Sequence, residues 1–210
     1  MNPLYLSYFL SENTPAYGGQ KGMFSLKKIR QISDGDTSNN SAFDLSSHIG
    51  THIDFPLHFS NKGKSCENYE PSFWIFNKIG FINCSIDEIV NKIENLPNDI
   101  ELLIFKTGFG KERYNKIYWE CQPIIKSELA FILKKRFPFL RVFGFDMISL
   151  TSKLDRLEGK KAHFSFLIEN DILVLEDMDL SNLKETPDRV IIAPLLIEGA
   201  DGSPCTVIAY

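Results

Sequence analysis

Residues 47–59, Ser-His-Ile-Gly-Thr-His-Ile-Asp-Phe-Pro-Leu-His-Phe, hold three of the chain's four histidines together with an aspartate. Neutral imidazole and carboxylate are the ordinary ligands of zinc and similar divalent ions, and His48, His52, Asp54 and His58 supply four such groups with no cysteine among them. On a straight strand His48 and His52 would stand about 13 Å apart, too far to share an ion. The segment must therefore bend. Gly50 permits the bend, because without a Cβ it tolerates positive φ and leaves room beside the backbone. Pro56 restricts the backbone at Phe55 and Leu57, so His58 should leave the bend on its own trajectory, giving three ligands and one outlier. A lone histidine on an apolar face is ordinarily a hydrogen-bonded core residue. Four polar groups set among Ile49, Ile53, Phe55, Leu57 and Phe59 are costly to bury without a common partner, and point to a metal site sunk between apolar walls.

The rest of the chain bounds what could hold such a site. With 210 residues, 43% hydrophobic and 24% charged, it fits one globular domain with a substantial core. A formal net charge of -4, with no basic stripe interleaved with aromatics, excludes a nucleic-acid surface. Lys134-Lys135-Arg136 reads as the solvated end of a helix, where cations suit the dipole. Cys66, Cys84, Cys121 and Cys205 form no C-x-x-C pair, which argues against a disulfide framework or a thiolate zinc site and fits a reducing, cytoplasmic setting. The opening Met-Asn-Pro-Leu-Tyr-Leu-Ser-Tyr-Phe-Leu lacks a basic leader region and reads as a strand. No apolar run approaches the ~20 residues of a membrane helix, so no membrane partner is expected.

Along the chain, strands are expected at 4–10, 23–32, 41–48, 73–76, 79–84, 101–107, 139–147, 172–176, 190–197 and 206–210 from apolar alternation and β-branched or aromatic content. Ser85 is a plausible N-cap for a helix running to about Asn95. Pro123 should open a second helix through Lys135, with Ile124, Ile125, Leu129, Ile132 and Leu133 at helical spacing. A short helix is expected at 162–168, with His163 near its start. The polar stretches 33–40 and 61–69 read as loops, the second a rim or flap. No repeat, heptad run or low-complexity linker suggests a second domain, and the pattern supports a single α/β or α+β domain with strands in excess.

The stretch H-x-G-T-H-x-D-x-P-x-H at 48–58 resembles the motif of the metal-dependent cyclase family that includes kynurenine formamidases and isatin hydrolases. Gly-Lys-Lys-Ala-His at 159–163, followed by Ile-Leu-Val-Leu-Glu-Asp-Met-Asp-Leu at 172–180, resembles that family's second metal-ligand region. Glu-Gly-Ala-Asp-Gly-Ser-Pro at 198–204 is similar to its C-terminal stretch. The resemblance implies a swivelling β/β/α fold with a strand-rich core and a few helices, assembled as a homo-oligomer. It implies one ion on His48, His52 and Asp54, with Asp54 bridging to a second on His163 and Glu176. The ion would be zinc or manganese, one or two per subunit. Asp177 is a rival to Glu176, since a one-residue slip reverses which side chain points inward. A substrate-facing aromatic is implied in the 14–19 loop, where this chain offers Tyr17, a residue that could equally pack the loop. Asp146, at the end of an apolar run, is a possible carboxylate partner for a ligating histidine, although capping a turn is the simpler role.

The activity so implied is hydrolysis of a small amide, formamide or cyclic amide by metal-activated water, with arylformamidase the leading specific case. His58 would pass the proton to the leaving amine, a role typically worth about 10²–10⁴ in rate. Its alternatives are a ligand in place of His48 or a hydrogen-bonded wall residue. The same site could instead promote cyclisation or dehydration, or sequester a metal or ligand without turnover.

Overall fold

Short runs of β-branched and aromatic residues, punctuated by turn residues, become strands whose pairing brings distant parts of the chain together. The computed structural model describes residues 2–210. In chain order the strands are β1 (Leu4–Tyr5), β2 (Phe24–Arg30), β3 (Asn40–Leu45), β4 (His52–Asp54), β5 (Ile75–Phe76), β6 (Ile79–Asn83), β7 (Leu102–Lys106), β8 (Val142–Phe145), β9 (Leu173–Glu176), β10 (Val190–Pro194) and β11 (Gly202–Ala209). Helices α1 (Ile89–Ile93), α2 (Ile117–Glu120), α3 (Glu128–Arg136) and α4 (Arg156–Phe164) lie between the later strands.

One nine-stranded sheet runs β5-β10-β11-β4-β9-β8-β7-β6, with β1 also on β11. Strands β6 to β9 are parallel and joined by crossovers carrying the helices, whereas β4 and β11 pair antiparallel. Parallel strands covered on both faces should read as continuous apolar runs. Those of β7 and β8 do so: Leu102 to Phe105 and Val142, Phe143 and Phe145 are fully buried. The core is this α/β sheet with Ala130, Leu133, Ala162 and Phe166 packed against it. Strands β2 and β3 form a separate two-stranded sheet.

The order of the sheet places the site. The parallel block ends at β9, and β4 lies antiparallel beside it with His52 opposite Glu176. Side chains opposite one another share a face, and alternate residues along a strand do too, so His52, Asp54 and Glu176 emerge together while Ile53 and Leu175 point into the core. Ligand sites in α/β sheets gather at the carboxyl ends of parallel strands, and Glu176 closes β9.

Several boundaries differ from those expected. The first strand stops at Tyr5, because the following backbone is held elsewhere: the Tyr8 N–H donates to Thr51 Oγ1. The strand expected at 41–48 ends at Leu45, and residues 46–51 form the bend. Residues Pro71–Trp74 make a 3-10 turn in place of the first half of the strand expected at 73–76. The helix expected from Pro123 begins at Glu128. Gln122 is strapped to the 149–152 loop, its side chain donating to the carbonyls of Ser149 and Thr151, which keeps the following residues extended. His163 sits in the last turn of α4 rather than the first turn of a helix. Asp155 caps α4 by accepting from the Glu158 N–H, an N-terminal signal that precedes the apolar run. Helix α2 has no counterpart among the expected elements. At the C-terminal end β10 stops at Pro194, and β11 starts at Gly202 because it pairs with β4 from there.

Candidate metal centre

The bend before β4 is built as its sequence requires. Gly50 has φ 63°, and the Gly50 carbonyl accepts a 2.8 Å hydrogen bond from His52 Nδ1. In α4 the Gly159 carbonyl likewise accepts from His163 Nδ1 at 2.9 Å. A carbonyl only accepts, so each Nδ1 carries a proton and Nε2, turned inward, is the atom that can ligate when the ring is neutral. Those two nitrogens face two buried carboxylates. His52 Nε2 lies 3.5 Å from Asp54 Oδ1 and 3.4 Å from Glu176 Oε2, and His163 Nε2 lies 3.4 Å from Asp54 Oδ2 and 3.4 Å from Glu176 Oε1. His48 Nδ1 adds a closer contact of 2.8 Å to Asp54 Oδ1.

These donors fit a divalent cation. Separations of 3.4–3.5 Å exceed an ordinary N–H···O hydrogen bond. They match the roughly 3.4 Å edge of a tetrahedron whose ligands sit about 2.1 Å from a central zinc. Asp54 and Glu176 are 1% and 2% exposed, and among the described residues no Lys or Arg pairs with either. Histidine protonation is then the positive charge the protein itself can offer. Burial works against charging His163, but the nearby carboxylates of Asp54 and Glu176 outweigh it and raise its pKa to about 10. His48 is likewise opposed by burial, yet raised to about 9 by Asp54 and Asp201. Asp54 is held well below the usual carboxylate range, burial being overcome by its bonds to His163 and His48.

Outer contacts fix the set in place. Glu176 Oε1 accepts from the Leu150 N–H and from Ser149 Oγ, while the Phe59 ring stacks on His163 with centroids 4.6 Å apart. Gly202, opposite Asp54 on β11, is needed because a Cβ there would lie 2.4 Å from His48 Cε1. The cavity above is about 260 Å³ and includes Tyr17, His58 and Thr151 in its walls. Three roomier cavities, about 490, 610 and 410 Å³, lie against Tyr8, Trp74 and Arg189, and none gathers imidazoles with carboxylates.

All the residues singled out in sequence converge here except two. Tyr17 faces the cavity, and its hydroxyl is buried without a hydrogen-bond partner. His58 lies beside His48, ring centroids 4.0 Å apart, with His48, Asp54 and His58 offering ligand atoms within 4.8 Å of one another. Asp177 turns away from the cavity at φ 52°, its carboxylate accepting from Arg113 and Tyr118. Asp146 touches none of the histidines. It caps a turn, accepting from the N–H and hydroxyl of Thr107 and the N–H of Gly108. Asp201 was missing from the expected site although it lies in the 198–204 stretch. Its Oδ2 stands 3.0 Å from His48 Nε2 and 2.9 Å from His58 Nδ1. Its position was not legible because only β-sheet register carries residue 201 back beside residue 54.

The fold and site define an α/β protein with a pocket suited to a divalent cation. The chain belongs to the family described as Putative cyclase, which it matches over residues 4–152. It is 31% identical to a kynurenine formamidase of Geobacillus thermodenitrificans, covering 97% of this chain and 95% of that one. A kynurenine formamidase of Bacillus cereus is 27% identical, over 97% and 94% of the two chains. Among solved structures, isatin hydrolase A from Labrenzia aggregata superposes with a TM-score of 0.83 at 21% identity, covering 99% of this chain and 93% of that one. A potential metal-dependent hydrolase with cyclase activity superposes at 0.76, also with 21% identity, over 99% and 96%. These likenesses bear out the cyclase-like fold expected from the motif.

Proposed function

We propose that this chain is a metal-dependent hydrolase of non-peptide C–N bonds, acting on a small amide, formamide or cyclic amide, with arylformamide hydrolysis its leading reaction. The observation that carries the reading is the alternation of His52 and His163 with Asp54 and Glu176 at metal-edge spacing, beneath a cavity of about 260 Å³. That volume suits a small ligand. The kynurenine formamidase relatives support the choice of substrate.

His52, Asp54, His163 and Glu176 would hold one ion on these edges; in a two-ion form His48, His52 and Asp54 would hold the first and Asp54, His163 and Glu176 the second. The two oxygens of Asp54 support a bridging role, since Oδ1 faces His48 and His52 while Oδ2 faces His163. Zinc or manganese suits these nitrogen and oxygen donors. When bound, such an ion supplies Lewis acidity, which lowers the pKa of a water and polarises a carbonyl. The protein's own groups do the rest. Gly50 and Gly159 carbonyls fix the tautomers of His52 and His163. Tyr17 contributes to the cavity wall, with its hydroxyl buried and unpaired, and Phe59 and Ile148 keep part of that wall apolar. His58 carries the proton to the departing amine.

Among the described residues no helix is long and apolar enough to cross a membrane. A cytoplasmic enzyme assembled as a homodimer or larger homo-oligomer, taking a small-molecule substrate, is the cellular form we propose.

Metal analysis and turnover together test this. Purified without chelator, the protein should carry at least one zinc or manganese per chain and hydrolyse N-formylkynurenine. Asp54→Ala should empty both sites, whereas loss of one ion only would remove the bridge. His58→Ala should keep the metal and lose about 10²–10⁴ in kcat. A metal-loaded protein inert across formamides, amides and lactams would overturn the hydrolase reading.

A further inference from the structure

The floor of the site and its rim differ in exposure. The side chains of Asp54 and Glu176 are 1% and 3% exposed, whereas His48, His58 and Asp201 rise to 23%, 30% and 40%. At that rim a single carboxylate oxygen, Asp201 Oδ2, meets His48 Nε2 at 3.0 Å and His58 Nδ1 at 2.9 Å. Its other oxygen accepts from Ser47 Oγ at 3.0 Å. An ionised carboxylate offers only acceptors, so both ring nitrogens facing it must be N–H donors.

That requirement settles the chemistry of each ring. For His58, a proton fixed on Nδ1 leaves Nε2 of the neutral imidazole without one. The same ring forms part of the cavity wall. For His48, a proton held on Nε2 by Asp201 directs the opposite ring nitrogen, Nδ1, at Asp54. Ser47, on the residue before His48, anchors the carboxylate from the side opposite the two rings.

We propose that Asp201 is the positioning residue that sets the tautomer and direction of His58 and couples it to the ligand His48. This deepens the hydrolase reading and rests on it for the identity of His58 as the proton carrier. His58 Nδ1 is committed to Asp201 and its ring lies tilted against His48, centroids 4.0 Å apart, so on the hydrolase reading Nε2 is the atom left to take or give the proton. Asp201 is not among the residues that line the cavity. It acts through the ring it holds, as the acidic member of a carboxylate–histidine pair does in other hydrolytic sites.

The test compares the zinc-loaded parent with Asp201→Asn, Asp201→Glu and Ser47→Ala. Zinc content, ring tautomers by long-range 1H–15N NMR, and kcat and KM on N-formylkynurenine are measured for each. In the parent, neutral His58 should carry its proton on Nδ1. Asp201→Asn should retain zinc, show a mixed or reversed His58 tautomer, and lose about 10- to 100-fold in kcat with KM within about twofold. Asp201→Glu should recover part of that loss, and Ser47→Ala should fall between parent and Asp201→Asn. Adding Asp201→Asn to His58→Ala should cost nothing further, because the two act as one unit.

An unchanged tautomer in Asp201→Asn overturns the proposal, whether or not zinc is lost, since the carboxylate would then serve His48 alone. So does a multiplicative loss in the double variant. Should Asp201→Asn not fold, Ser47→Ala carries the same tautomer readout. If the parent turns over no formamide at all, the hydrolase reading fails while the NMR measurement still decides what Asp201 does.

Discussion

In the metal-free state two imidazolium rings stand where a cation would stand, and that exchange has a measurable sign. His163 and His48 have pKa values of about 10 and about 9, so both are charged at pH 7. A ligating histidine must be neutral, so binding zinc at pH 7 should release at least one proton, and affinity should rise between pH 6 and 9. Calorimetry in buffers of different ionisation enthalpy reads the release directly; a buffer-independent heat would contradict it. Stability runs the other way. A raised imidazole stabilises the folded state fully below its unfolded pKa near 6.5, and that contribution is lost as pH climbs through 9 to 10. The chelated protein should therefore melt progressively lower from pH 7 to 10. His48, His52 and Asp54 were legible in sequence because ligand type and a glycine bend are local properties. Asp201 was not, because nothing near residue 201 says which strand it will lie beside.

At the scale of elements, one loop device decides which of two adjacent acids enters the site. Asp177 takes a left-handed backbone conformation, and its carboxylate is gripped by Arg113 through Nε and Nη2, with the Tyr118 hydroxyl as a third donor. The Arg113 guanidinium lies 3.8 Å from the centre of the Tyr8 ring, and its side chain is almost wholly buried. With Asp177 tied behind the sheet, Glu176 at the end of β9 is left pointing forward, so the choice between them follows from strand alternation plus a buried ion pair. Removing one partner of such a pair leaves an uncompensated charge. Arg113→Ala should cost about 3–5 kcal/mol of stability by urea unfolding. Replacing both Arg113 and Asp177 with apolar residues of similar size should cost less; equal losses would mean the pair matters for packing alone. Sequence periodicity found α3 and the parallel strands, where apolar runs are long. It misplaced α4 and the start of α3, where a cap and a glutamine strap override the apolar pattern.

For the molecule as a whole, the site is a seam between a parallel block and an antiparallel one, and its proposed ligands come from the bend before β4 and from β4, β9 and α4. A cation bound there ties those elements together only in the folded state, so it should stabilise by mass action. At free metal about a hundredfold above Kd, the gain is about 2.7 kcal/mol. For a chain of this length that corresponds to roughly 5–10 °C in Tm, to be read by scanning calorimetry before and after chelation. An unchanged Tm would show that no ion bridges these strands. The α/β class and excess of strands followed from composition and patterning, whereas the order β11-β4-β9 did not. Strand order depends on long-range register, which no window of sequence contains.

That order also sets when the centre can first exist during synthesis. Strand β4 has β11 as one of its two neighbours, and Gly202 of β11 lies directly opposite Asp54. A nascent polypeptide thus emerges with its first imidazoles long before the strand that flanks them has left the ribosome. Until β11 is threaded alongside, those side chains lack one flank, and the centre should assemble only after that strand has emerged.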